Sequence, residues 1–235
     1  MTLDEIVGHY VRTYREAAAF EMEFFESQAS AASAIRVAAS CIWPDGKRHP
    51  HQRRIPRAVL DEAESRLQTA RAKIARAADF DALHQVVKAT VGTIRGIGDL
   101  TVYDITHRLG AYFGKEPTAV YLHAGTRAGA ALFGLRGDQL DPAKLPAAFR
   151  RLKVAEIEDC LCIYKDELSD IVTREQRPPS TAKRLGRGAS KCAVATEQLV
   201  DRRPITNGQH RRSLGQSRQM SGTIADSRNP ATPKL

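Results

Sequence analysis

Apolar residues recur at three- and four-residue spacing along most of the first 172 positions, the period of a helix face. Val7, Val11, Tyr14, Ala18, Met22, Phe25, Ala29 and Ala32 predict one long helix over residues 3 to about 40, with Asp4 and Glu5 in its first turn. Phe20, Phe24 and Phe25 widen the stripe, as in a helix packed on more than one neighbour. Pro44, Gly46, Pro50 and Pro56 then break the pattern and mark a loop from Cys41 to Arg57. Leu60, Ala63, Leu67, Ala70 and Ile74 give a narrow seam through Ala77 for the next helix.

Asp79 or Asp81 caps a helix bearing Leu83, Val86, Val87 and Val91. Ile94-Arg95-Gly96-Ile97-Gly98 follows, and then a second helix through Leu100, Val102, Ile105 and Leu109. Gly110 is its expected stop, with Tyr112 and Phe113 at its end. Beyond it the pattern predicts an apolar segment at Val120 to Leu122 and a helix from Thr126 to Phe133. Short helical pieces are expected after Asp141-Pro142 and Leu145-Pro146. A last stripe runs through Val154, Ile157, Leu161, Tyr164, Leu168 and Ile171.

No stretch alternates as a strand does, so the expected fold is all-α, with about seven or eight helices in one domain over residues 1–172. From Thr173 the periodicity ends, and a polar basic tail over 173–235 is expected to be disordered. Charge changes the picture only there. The net charge is +9, and residues 173–235 hold 13 basic against 4 acidic residues, the whole of that surplus. Nucleic-acid binding by the helical part must therefore rest on local patches rather than on overall charge.

The stretch around 94–98 has the composition of an anion-binding turn. Glycines on either side of Ile97 leave room for a close approach, and the start of the following helix presents backbone N–H groups. Ile94, Gly96, Ile97, Gly98, Val102 and Ile105 together resemble the helix-hairpin-helix family of DNA-binding motifs. Ala119 to His123, Arg127 and Gly134-Leu135 extend the likeness to about 50 residues, as in helix-hairpin-helix DNA glycosylases. Those enzymes carry a catalytic aspartate where Tyr121 stands, and those with lyase activity carry a lysine where Leu100 stands. The resemblance therefore implies DNA-binding geometry without glycosylase chemistry. The alternative is a turn that only packs two helices.

Candidate DNA-contacting residues are Arg95, Gly96, Ile97, Gly98 and Arg127, with a loop patch of Lys47, Arg48, Arg53 and Arg54 as a second phosphate contact. The expected partner is DNA, bound through its phosphates without sequence preference. A divergent glycosylase or nuclease would draw on Asp99, Asp104, Tyr121 and His123, and a helical protein-interaction module is the third reading. No cofactor is expected. His49 and His51 lack a matching ligand set, and Cys160 and Cys162 point in different directions on one helix, so no metal site is expected either. No run of about 18 apolar residues exists and the N-terminus is acidic, so neither a membrane span nor a signal peptide is expected. Cysteines at 41, 160, 162 and 192 show no disulfide framework, which suits a cytoplasmic, reducing location.

Overall fold

Thr2 starts the first helix, α1 (Leu3–Thr13), by a reciprocal cap: its hydroxyl accepts from Glu5 N at 3.2 Å and the Glu5 carboxylate accepts from Thr2 N at 2.7 Å. The single long helix expected over 3–40 is three: α1, α2 (Arg15–Glu26) and α3 (Ala31–Ser40). The second break has a local cause. The Ser27 hydroxyl and the Gln28 amide both donate to Phe24 O, and Ser30 caps α3 by accepting from Ser33 N. Periodicity survives such breaks, which is why it did not show them. The seam expected through Ala77 is likewise two helices, α4 (Arg57–Thr69) and α5 (Arg71–Ala75).

Asp79 caps α6 (Phe80–Val91) by accepting from Ala82 N at 2.8 Å. The next helix, α7 (Asp99–Phe113), runs through Gly110 and ends at Gly114, which takes the left-handed conformation at φ +63°. Gly110 is a packing position instead: a Cβ there would meet the Lys115 carbonyl at 2.5 Å and the Phe80 ring at 3.3 Å. Strands β1 (Val120–Tyr121) and β2 (Gln139–Leu140) pair antiparallel, Val120 with Leu140 and Tyr121 with Gln139. They correct the strand-free expectation, being too short for alternation to register. Helix α8 (Ala124–Leu132) lies between them in sequence. Two 3₁₀ turns follow, Pro142–Lys144 and Ala147–Arg151, and then α9 (Val154–Ile163) and α10 (Lys165–Glu175).

The computed structural model describes residues 1–43, 46–49 and 52–175. The chain divides into two units, Met1–Ala182 and Lys183–Leu235, and every described residue belongs to the first. Among the described residues the architecture is all-α, ten helices with one two-stranded sheet. None of the helices is long and apolar enough to cross a membrane. Helix α10 carries through Thr173 to Glu175, so the boundary expected at 172 falls inside a helix; the remainder of the predicted tail lies outside the described residues.

Two apolar cores form. One joins α3 to α7 through Ile35, Leu60, Leu67, Leu83, Val87, Ile105 and Leu109. The other joins α1, β1 and α8 to α10 through Ile6, Tyr10, Val120, Ala130, Phe149, Leu161 and Leu168. Phe80, Tyr103 and Tyr121 form a separate aromatic cluster. Gly129 of α8 presses on the Leu161 carbonyl of α9, an approach that leaves no room for a Cβ.

Candidate nucleic-acid interface

The turn between α6 and α7 sorts its side chains by polarity. Ile94 and Ile97 are buried in the first core, while Arg95, Gly96 and Gly98 are exposed. Ile94 N donates to Val91 O and Ile97 N to Ile94 O, each at 3.0 Å, so the chain turns tightly on its own backbone. Gly96 takes φ +102°, which L side chains rarely adopt. Gly98 does not: at φ −107° and ψ 177° it is extended, and a Cβ there would have no neighbour within 4 Å. Of the two glycines, one is required by conformation and the other only leaves open space.

Gly98 is the N-cap of α7 and offers no side-chain cap. The helix's first bond runs from Val102 N to Gly98 O at 3.0 Å, so the N–H groups of Asp99, Leu100 and Thr101 precede the ladder. Such groups suit an anion. The exposed Asp99 carboxylate stands in the same turn and opposes one.

Cations flank the turn unevenly. Arg95 is exposed, as are Arg53, Arg54 and Lys47 in the preceding loop. Val59, in the first turn of α4, lies against Gly96, which brings the end of that loop to the α6–α7 turn. From α4, Arg66 donates to Thr93 Oγ1 at 3.2 Å and to Glu62 at 2.5 Å. Arg48 is engaged elsewhere: it bridges to Ile42 through its backbone, and its guanidinium donates to Ile55 O at 2.8 Å, so it ties the loop together. Arg127 sits apart from the turn, on α8, paired with Asp138 at 3.1 Å.

Arg127 instead helps to line a cavity of about 370 Å³ that reaches Asp99 at the start of α7. Its aromatic wall is Tyr103, Tyr121 and His84, the last two rings 4.4 Å apart. The Tyr121 hydroxyl donates to Asp81, and burial pushes its pKa up. His84 Nδ1 has no hydrogen-bond partner among the described residues. Burial, then the neighbouring Lys88, lower its pKa, which keeps the ring neutral.

His123 stands at the N-cap position of α8 without a side-chain capping bond, and its ring is buried against Glu158 of α9. Thr126 Oγ1 lies 2.8 Å from His123 Nε2 and donates to the same Glu158 oxygen at 2.7 Å. The sequence singles out His123 but not Thr126, Glu158 or His84. The signal for Glu158 was a charge beside Ile157 on an otherwise apolar stripe. Asp104, grouped in the sequence with Asp99, Tyr121 and His123, lines a different chamber and accepts from the buried amide of Gln52. Cys41 and Cys160 are buried free thiols, pushed up to about 11 and about 12 by burial. Among the described residues no group of three or more His, Cys, Asp or Glu is arranged to hold a metal ion. No family model, no curated protein and no solved structure matches this chain.

Proposed function

We propose that this protein binds DNA without acting on it, gripping the phosphate backbone with the turn Arg95-Gly96-Ile97-Gly98. The observation that carries the reading is the sorting of the turn: both isoleucines are buried, while Arg95, both glycines and the uncapped start of α7 face outward. Arg53 and Arg54 add charge from the adjoining loop, and Arg127 with Lys88 lies along the cavity beside it. Base-excision chemistry has no support in the residues. Leu100 has no amine, and the Tyr121 hydroxyl is held by Asp81.

The test is fluorescence anisotropy of a labelled duplex with the full chain over a salt series. Arg95→Ala should weaken binding alike for unrelated sequences and lower the slope of log affinity against log salt by about one unit. An unchanged slope and affinity would leave the turn as packing only.

A further inference from the structure

The chain's one tryptophan, Trp43, stands just after α3, and the loop around it is built rather than slack. Helix α3 ends at Cys41 in the left-handed conformation, φ +57°, which turns the chain away from the helix axis. The chain then doubles back. Ile42 bridges antiparallel to Arg48, Trp43 N donates to Lys47 O at 2.8 Å, and His49 N donates to Cys41 O at 2.8 Å. Trp43 is therefore held by ladder bonds on either side. Its ring rests against that of His49, centroids 5.5 Å apart, and stays 36 % exposed.

The same loop gathers cations beside this ring. Gln52 N donates to His49 O at 3.1 Å and Ile55 N to Gln52 O at 3.0 Å, so Arg53 and Arg54 sit in a tight turn that follows His49 directly. Gln52 is fully buried and anchors the turn: its amide nitrogen donates to Asp104, and its amide oxygen accepts from Arg108 at 3.5 Å. Arg48 closes the loop. Its backbone pairs with Ile42, next to Trp43, and its guanidinium donates to Ile55 O, next to Arg54, at 2.8 Å. Trp43 and Arg54 thus flank the two ends of one arginine side chain. Arg53 and Arg54 are exposed, and neither is held in an ion pair among the described residues. From Gly46 to Leu60 the sequence has no carboxylate to neutralise them.

An exposed indole fixed beside two available guanidinium groups matches one unstacked base and the phosphates on either side of it. An intact duplex supplies the phosphates but keeps its base faces stacked on one another, so it leaves the indole unused. An anionic membrane would also attract the arginines, but membrane affinity grows with buried apolar area, and one half-covered tryptophan supplies little.

We propose that Trp43 stacks on an unpaired base, with Arg53 and Arg54 on the adjoining phosphates, and that the preferred DNA is a duplex carrying a single-stranded extension. The loop ends where α4 begins, and Val59 in the first turn of α4 lies against Gly96, so strand and duplex would meet neighbouring parts of the surface. The duplex half of this assignment rests on the reading of the α6–α7 turn; the stacking half stands on the loop alone.

Tryptophan emission of the full chain reports on this site alone, because the sequence has no second tryptophan. It is measured against a blunt duplex, the same duplex with a thymidine extension, oligothymidylate, and phosphatidylserine vesicles. The extended duplex and oligothymidylate should quench emission and the blunt duplex should not. By anisotropy the extended duplex should bind about tenfold tighter than the blunt one. Trp43→Ala should bring that ratio close to one, while Trp43→Phe, which keeps a ring to stack on, should retain most of it. Equal affinity for the two duplexes would overturn the proposal, as would bound extended duplex without quenching or a ratio that survives Trp43→Ala. Brighter, blue-shifted emission with the vesicles and no response to DNA would assign the loop to a membrane instead. Failure of the α6–α7 turn reads differently: Arg95→Ala would leave blunt-duplex binding unchanged while oligothymidylate still quenched Trp43.

Discussion

Val59 Cγ1 would lie 3.6 Å from a Cβ built on Gly96, while nothing lies within 4 Å of one built on Gly98. The two glycines of the turn therefore fail differently when substituted. Gly96→Val forces a β-branched residue to φ +102°, while its Cβ would make only ordinary contact with Val59 of α4. It should destabilise the fold by about 1–3 kcal/mol, read as a fall in the denaturation midpoint. Gly98→Val adopts the existing extended backbone without strain, so it should lower that midpoint by no more than the loss of a glycine N-cap, about 0.5–1 kcal/mol. Its side chain stands where a phosphate would approach α7, so duplex affinity should fall. A Gly98→Val protein that binds DNA as the parent does would remove the turn from the interface.

Asp99 supplies a gain-of-function check. It is exposed in the first turn of α7, beside the N–H groups assigned to a phosphate. Asp99→Asn removes the opposing charge and keeps a side chain of the same size. Duplex affinity should rise at low salt, with the gain fading as salt is added. The variant should lose a few tenths of a kcal/mol of stability, since a first-turn carboxylate favours the helix. Unaltered affinity at low salt would mean that no phosphate sits at this helix start.

Much of the fold was legible because periodicity reports burial, and burial made the cores. Leu60, Leu67, Leu83, Val87, Leu161 and Leu168 all sit where their spacing put them. Breaks at Tyr14, Ser27–Ser30 and Ala70 were not legible, because the apolar spacing runs across them. In the turn, Ile94 and Ile97 were readable as plugs and Arg95 as exposed. The division of labour between Gly96 and Gly98 was not, since residue type alone does not fix φ. The chamber around Arg108 was invisible for another reason. Its walls come from α2, α7 and α9, from Glu21 to Asp159, and each polar residue alone looks like a solvated charge.

Helix packing offers a prediction independent of function. Gly129 of α8 touches the Leu161 carbonyl so closely that even Ala must push α9 away. Gly129→Ala would normally favour a helix by about 1 kcal/mol. Here overpacking of about 1–3 kcal/mol should outweigh that gain and lower the unfolding midpoint. A raised midpoint would mean that the α8–α9 contact is looser than described.

Asp159 makes stability depend on pH in an unusual direction. Its folded pKa is raised from 3.8 to about 8, by burial first and by Glu158 next, with Asp104 and Glu21 adding to the effect and the Tyr10 hydroxyl opposing it. Between those two values the folded protein holds a proton that the unfolded chain has lost. Folding then binds protons, so this residue's contribution to stability falls as pH rises from about 4 toward 8 and levels off above it, by at most about 1.4 kcal/mol per pH unit. His84 and His107, both lowered from 6.5 by burial, act with the other sign. The unfolded chain binds their protons below that value, so their contribution rises with pH until it levels off near 6.5. Comparing the parent with Asp159→Asn at each pH cancels the histidines. Asn keeps an acceptor for the Tyr10 hydroxyl and has no proton to lose. Urea midpoints at pH 5, 6, 7 and 8 should show the variant gaining steadily on the parent. Parallel curves would mean that Asp159 is ionised in the folded protein.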